Sequence, residues 1–105
     1  MSANSDLDSY QEAAARTINP ALDAQQCLLD AAAGLAEEAG EALAHVRKHA
    51  MQGRALDRGA LAKELGDALW CLAIAARCIE MPLSEVAARN LEKLRERHPE
   101  GFEAR

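Results

Sequence analysis

Glu37, Glu38 and Glu41 place three carboxylates within five residues, in a stretch from Gly34 to Glu41 that is otherwise Gly, Ala and Leu. Each helical residue advances about 100°, so Glu38 and Glu41 stand about 60° apart and Glu37 and Glu41 about 40° apart. Like charges at these spacings cost a few tenths of a kcal/mol per pair on an isolated helix. A cation, basic partners or plain solvation can offset that cost. A second acidic pair, Glu64 and Asp67, has different surroundings. Plotted at about 100° per residue, Leu61, Leu65, Ala68, Cys71, Leu72, Ile74, Ala75 and Cys78 form a broad apolar arc that encloses both carboxylates. Lys63, Gly66, Trp70, Arg77 and Glu80 make the narrow outward strip. A carboxylate set in an apolar arc must be protonated, paired or bound to a metal. If the two segments pack as antiparallel helices, Glu38, Glu41, Glu64 and Asp67 converge as hard oxygen ligands, which suit Mg²⁺ or Mn²⁺ and disfavour Zn²⁺. No His accompanies them in the Glu-x-x-His pattern of di-iron bundles, so redox iron is the weaker reading. For Glu37 and Glu41 taken alone, a solvated face is sufficient.

Four helices are needed to position these groups. The first runs from about Asp6 to Thr17, with Leu7, Tyr10, Ala13 and Ala14 on one side, and Ile18-Asn19-Pro20 breaks it. The second runs from about Leu22 to Ala50, with Leu28, Ala32, Leu35, Ala39, Leu43 and Val46 as its apolar stripe and His45 and His49 on the exposed side. Asp57 caps the third, Arg58 to about Ile79, which Met81-Pro82 ends. Ser84 caps the fourth, which runs to about Arg97 before His98-Pro99. With no alternating strand pattern, the chain reads as all-α, one four-helix antiparallel bundle-like domain over residues 1–105. A third helix apolar over most of its circumference implies a subunit interface, hence a homodimer or homotetramer. On the fourth helix Asn90, Lys93 and Arg97 fall within about 60° of one another, beside Val86 and Leu94. They form a cationic edge suited to phosphate, although Arg89, Glu92 and Arg95 show that this helix is charged elsewhere too.

Composition narrows the partners. Half the residues are hydrophobic, but Phe, Trp and Tyr occur once each, so the core is built from small aliphatic side chains. A net charge of -5 argues against general affinity for nucleic acid polymers or anionic membranes. The polar start, Met1 to Asp6, is not a secretory signal, and the apolar run from Ala68 to Ala76 is short of the ~18 residues that span a bilayer. Cys27, Cys71 and Cys78 form no CxxC pair and read as reduced core thiols, which fits a cytoplasmic protein.

The pattern Glu37-Glu38-x-x-Glu41, a spacer, then Glu64-x-x-Asp67 resembles the MazG-like, all-α nucleoside triphosphate pyrophosphohydrolases. Tyr10-Gln11 with Thr17, Gly34 to Glu41, Glu64 to Trp70, and Asn90-Leu91-x-Lys93-Leu94 with His98-Pro99 and Gly101-Phe102 look like family segments in family order. The resemblance implies Mg²⁺-dependent cleavage of an NTP or dNTP at the α-phosphorus, to monophosphate and pyrophosphate, as in housecleaning of nucleotide pools. It implies Glu38, Glu41, Glu64 and Asp67 as metal ligands, with Mn²⁺ a substitute. Glu37, about 100° around the helix from Glu38, is the candidate either to orient a water near the ion or to act as general base. Trp70, Asn90, Lys93, Arg97 and Gln11 are implied for substrate, with Tyr10 and Arg16 as weaker candidates for the pocket wall. Trp70 either stacks on a base or fills an intersubunit contact. His98 stands where many members have an aromatic residue and Cys71 where Tyr is common, and both departures bear on the base pocket. Two other readings use the same carboxylates: a phosphoribosyl-ATP pyrophosphatase of the same superfamily, and a helical module that binds Mg²⁺-nucleotide without cleaving it.

Overall fold

The computed structural model describes residues 4–102. Four helices follow in order: α1 (Asn4–Ala15), α2 (Ala24–Gln52), α3 (Arg58–Cys78) and α4 (Leu83–Arg97). No strand forms among the described residues, and the fold is all-α as expected.

Local chemistry sets the helix ends. α2 starts two residues later than its apolar pattern suggests, because Asp23 closes a capping box. Its Oδ1 accepts from the Gln26 N–H at 2.8 Å, and the Gln26 Oε1 accepts from the Asp23 N–H at 3.0 Å. At the other end Gly53 takes φ 67°, a left-handed conformation that costs glycine little, and α2 stops there. Asp57 caps α3 as expected, its Oδ1 accepting from the Ala60 N–H at 3.0 Å. Ser84 does not cap α4. The helix starts at Leu83, Pro82 occupies the cap position without a side-chain acceptor, and α1 supplies the missing acceptors. Gln11 Oε1 accepts from the Leu83 N–H at 3.0 Å, and Asp8 accepts from the Ser84 N–H at 2.9 Å and from its hydroxyl at 2.7 Å.

The short connection from Gly53 to Asp57 turns α3 back along α2. On α2 the residues facing α3 are Cys27, Ala31, Gly34 and Glu38, at steps of four, three and four. Stepping back along α3, Cys78, Ile74, Cys71 and Asp67 meet them in the same rhythm. Ala31 and Ile74 are almost fully buried in one core cluster with Cys27 and Ala14. A Cβ added at Gly34 would lie 2.9 Å from the Cys71 Sγ. The seam is thus made of small residues that let two backbones approach closely. This corrects the expected stripe: Leu28, Ala32, Ala39, Leu43 and Val46 are exposed in the single chain, and of that set only Leu35 is half-buried. His45, expected outside, is half-buried on the seam side, whereas His49 is exposed.

α1 packs on α3 and α4, and no Cα pair between α2 and α4 lies within 8 Å. A second cluster, Ala73, Ala76 and Leu83 with Leu7 and Tyr10, holds α1, α3 and the start of α4 together. The radius of gyration is 16.4 Å, against about 13 Å for a compact chain of this length.

Candidate metal centre

The α2–α3 seam changes character at Glu38. Thiols, methyls and Gly34 fill the earlier layers, and at the next step Glu38 from α2 meets Glu64 and Asp67 from α3. One carboxylate oxygen from each of these three residues lies within 4.8 Å of the other two. Glu38 and Glu64 are half-buried and Asp67 is exposed, so the cluster opens to solvent on the Asp67 side. Asp67 is therefore not enclosed by apolar contacts of its own chain, as the helical plot suggested. The flanking leucines, Leu65 and Leu69, are exposed with it.

The electrostatics mark Glu38 as the strained member. Its Oε2 is shielded from solvent and has no hydrogen-bond partner. Burial raises its pKa, and the sharing of a proton with Glu64 and the charges of Glu64, Asp67 and Glu41 raise it further. A cation would satisfy the orphaned oxygen and remove the mutual repulsion in one step. The donor set, carboxylate oxygens alone, fits a hard ion such as Mg²⁺ or Mn²⁺.

The other sequence-derived candidates fall into three groups. Glu37 and Glu41 are exposed on α2 and lie outside the 4.8 Å cluster, so the four-carboxylate set is drawn together only in part. Trp70 is not on an outward strip. It is half-buried against the Ala14–Ile74 core, and its Nε1 donates to the Thr17 Oγ1 at 2.8 Å. Gln11 is buried, with its Nε2 donating to the Ala73 and Met81 carbonyls at 3.0 and 3.1 Å while its Oε1 takes the Leu83 N–H. Its amide is committed to the α3–α4 turn. Asn90, Lys93 and Arg97 are exposed, as are their neighbours Val86 and Leu94. The cationic edge does not border the core of its own chain. Sequence reasoning missed Gly34, whose lack of a side chain lets Cys71 sit against α2 one layer from Glu38. A glycine in a long helix costs about 0.5–1 kcal/mol relative to Ala, which is the signal that could have revealed it.

A family model described as MazG nucleotide pyrophosphohydrolase domain matches residues 26–102. The chain belongs to this MazG family. The match covers α3, α4 and nearly all of α2, including every member of the acidic cluster. It begins at Gln26, so Tyr10, Gln11 and Thr17 lie outside the matched MazG region. No curated protein and no solved structure matches the chain. Membership makes this MazG domain a nucleotide pyrophosphohydrolase in general type. No helix of the described residues is long and apolar enough to cross a membrane.

Proposed function

We propose that this chain hydrolyses a nucleoside or deoxynucleoside triphosphate at the α-phosphorus, releasing the monophosphate and pyrophosphate, with Mg²⁺ held by Glu38, Glu64 and Asp67. The observation that carries the reading is the buried, partnerless Glu38 oxygen beside two further carboxylates, inside a MazG domain. When bound, Mg²⁺ supplies charge withdrawal from the phosphoryl oxygens, and Mn²⁺ serves as a substitute. Glu38 and Glu64 stand on packed helices, which fixes their backbones on the two sides of the seam. Glu41, one helical turn from Glu38, is the fourth ligand. Glu37, on the next face of α2, orients the attacking water and accepts its proton.

Asn90, Lys93 and Arg97 neutralise the triphosphate in this reading, and they do so in an assembly. α4 does not touch α2 within one chain, and Leu28, Leu43, Val46, Leu65, Leu69 and Leu72 leave an apolar surface uncovered. A homodimer or homotetramer covers that surface and brings a second copy's cationic edge to the carboxylates. Trp70 supports the pocket from behind, through the core, rather than stacking on the base. Three free thiols suit a reducing cytoplasm, and the acidic charge leaves nucleic acid polymers aside. Housecleaning of the nucleotide pool is the role that fits. A product-resolved panel of standard and damaged triphosphates, run with Mg²⁺ or Mn²⁺, tests the proposal. Monophosphate and pyrophosphate from at least one substrate support it. Diphosphate and phosphate, or binding without any product, would sink it.

A further inference from the structure

Two of the three cysteines stand outside the proposed chemistry and face each other. Cys27 opens the α2 seam and Cys78 closes the α3 seam, one layer beyond the Ala31–Ile74 pair. Cys78 packs against the core cluster that holds Cys27. Both line a cavity of about 310 Å³ between the Ile18–Leu22 connection, the first turn of α2 and Arg77. Cys27 is buried, while Cys78 is only partly so and gives the pair its access to solvent. Cys71 is excluded as a partner for Cys78, because seven helical residues separate them by about 10 Å of rise.

We propose that Cys27 and Cys78 are an oxidisable thiol pair that a hydroperoxide converts into an intramolecular disulfide, stapling the start of α2 to the end of α3. The Cys78 thiolate attacks one peroxide oxygen. An S–O bond forms, the O–O bond breaks, and hydroxide leaves to take up a proton as water. The Cys27 thiolate then attacks the Cys78 sulfur, forming the S–S bond and expelling a second hydroxide, which takes up the proton lost by Cys27. Two thiols lose two electrons and one hydrogen peroxide becomes two waters. Burial, and then the hydrogen bond with Cys27, hold the Cys78 thiol above its ordinary range, so this is a slow staple formed under sustained peroxide rather than a fast sensor. The staple lies three layers from Glu38 and needs no movement of the acidic cluster.

The test treats the whole reduced protein with excess hydrogen peroxide, alkylates the remaining thiols and maps the peptides by mass spectrometry without reduction. A link between the Cys27 and Cys78 peptides of a monomeric chain is expected, with Cys71 alkylated. The oxidised protein should melt roughly 10 °C higher than the reduced form, from closure of a long loop. Cys78→Ser should leave Cys27 alkylated and abolish the rise, and Cys27→Ser should abolish the link too. A link through Cys71, a link between chains, or three alkylated thiols after prolonged peroxide would each overturn the proposal. None of these outcomes depends on nucleotide hydrolysis.

Discussion

Glu38 is costly to keep charged, and that makes its removal informative. Its pKa is raised in the folded chain by burial and by Glu64, Asp67 and Glu41, so the folded state binds a proton there more readily than the unfolded state does. Metal-free protein should therefore gain stability as pH falls through the raised value and lose it as pH rises. Glu38→Gln should melt higher than the unsubstituted chain in EDTA near neutral pH and show less of this pH dependence, measured by thermal scans across the acidic range. Saturating Mg²⁺ should reverse the order of the two. Gln11 illustrates the opposite case. Three hydrogen bonds commit its amide to the chain's own backbone, and Gln11→Ala should cost about 2–4 kcal/mol in denaturant melts by stranding the Leu83 N–H. Glu38, Glu64 and Asp67 could be read as a candidate cluster because helical spacing puts Glu64 beside Asp67 and antiparallel packing brings Glu38 to them, whereas Glu41 stays outside it. The use of Gln11 was not legible, because an amide in a helix gives no sign of whether its partners are a ligand or a distant turn.

At the level of helices, the α2–α3 seam fixes the site. Four helices could be read from periodicity and breakers, and Asp57 as a cap was visible at once. The face α2 turns to α3 was misread, since a hydropathy stripe weights Leu28, Leu43 and Val46 above Cys27, Ala31 and Gly34. Close packing selects for small volume rather than for greasiness, and the leucines are left outside. Gly34 tests this directly. Gly34→Ala gains about 0.5–1 kcal/mol of helix propensity but drives a methyl to 2.9 Å from the Cys71 Sγ. Overpacking of that kind costs about 1–3 kcal/mol, so a net loss near 1 kcal/mol is expected. Adding Cys71→Ala should restore the propensity gain, read as a non-additive double-mutant cycle in urea melts. The cap of α4 was equally hidden, because Asp8 and Gln11 reach it from more than seventy residues away.

For the whole molecule, the thin core and the open outline leave apolar side chains uncovered, and the proposed association would cover them. The sequence showed that α3 is apolar nearly all round, and Leu65, Leu69, Leu72 and Ile79 are indeed uncovered in the single chain. Leu72→Glu should shift the particle toward monomer in light scattering while changing helix content little, since an exposed substitution usually alters stability by about 0.5 kcal/mol or less. Activity should fall with the assembly if the cationic edge of α4 serves a neighbouring copy. Which base or sugar is accepted was not legible, because discrimination rests on contacts worth only ~1–3 kcal/mol.

In the proposed function, Glu38 helps to hold the ion that makes α-phosphorus cleavage possible. This role is tested most directly by pyrophosphate release from the best triphosphate of the panel, with and without Mg²⁺, for the unsubstituted chain and Glu38→Gln, with helix content checked in parallel. Mg²⁺-dependent pyrophosphate is expected from the first, and a loss of at least about 100-fold in the second with the helices intact. Equal turnover by the two proteins, or release that ignores Mg²⁺, would contradict it.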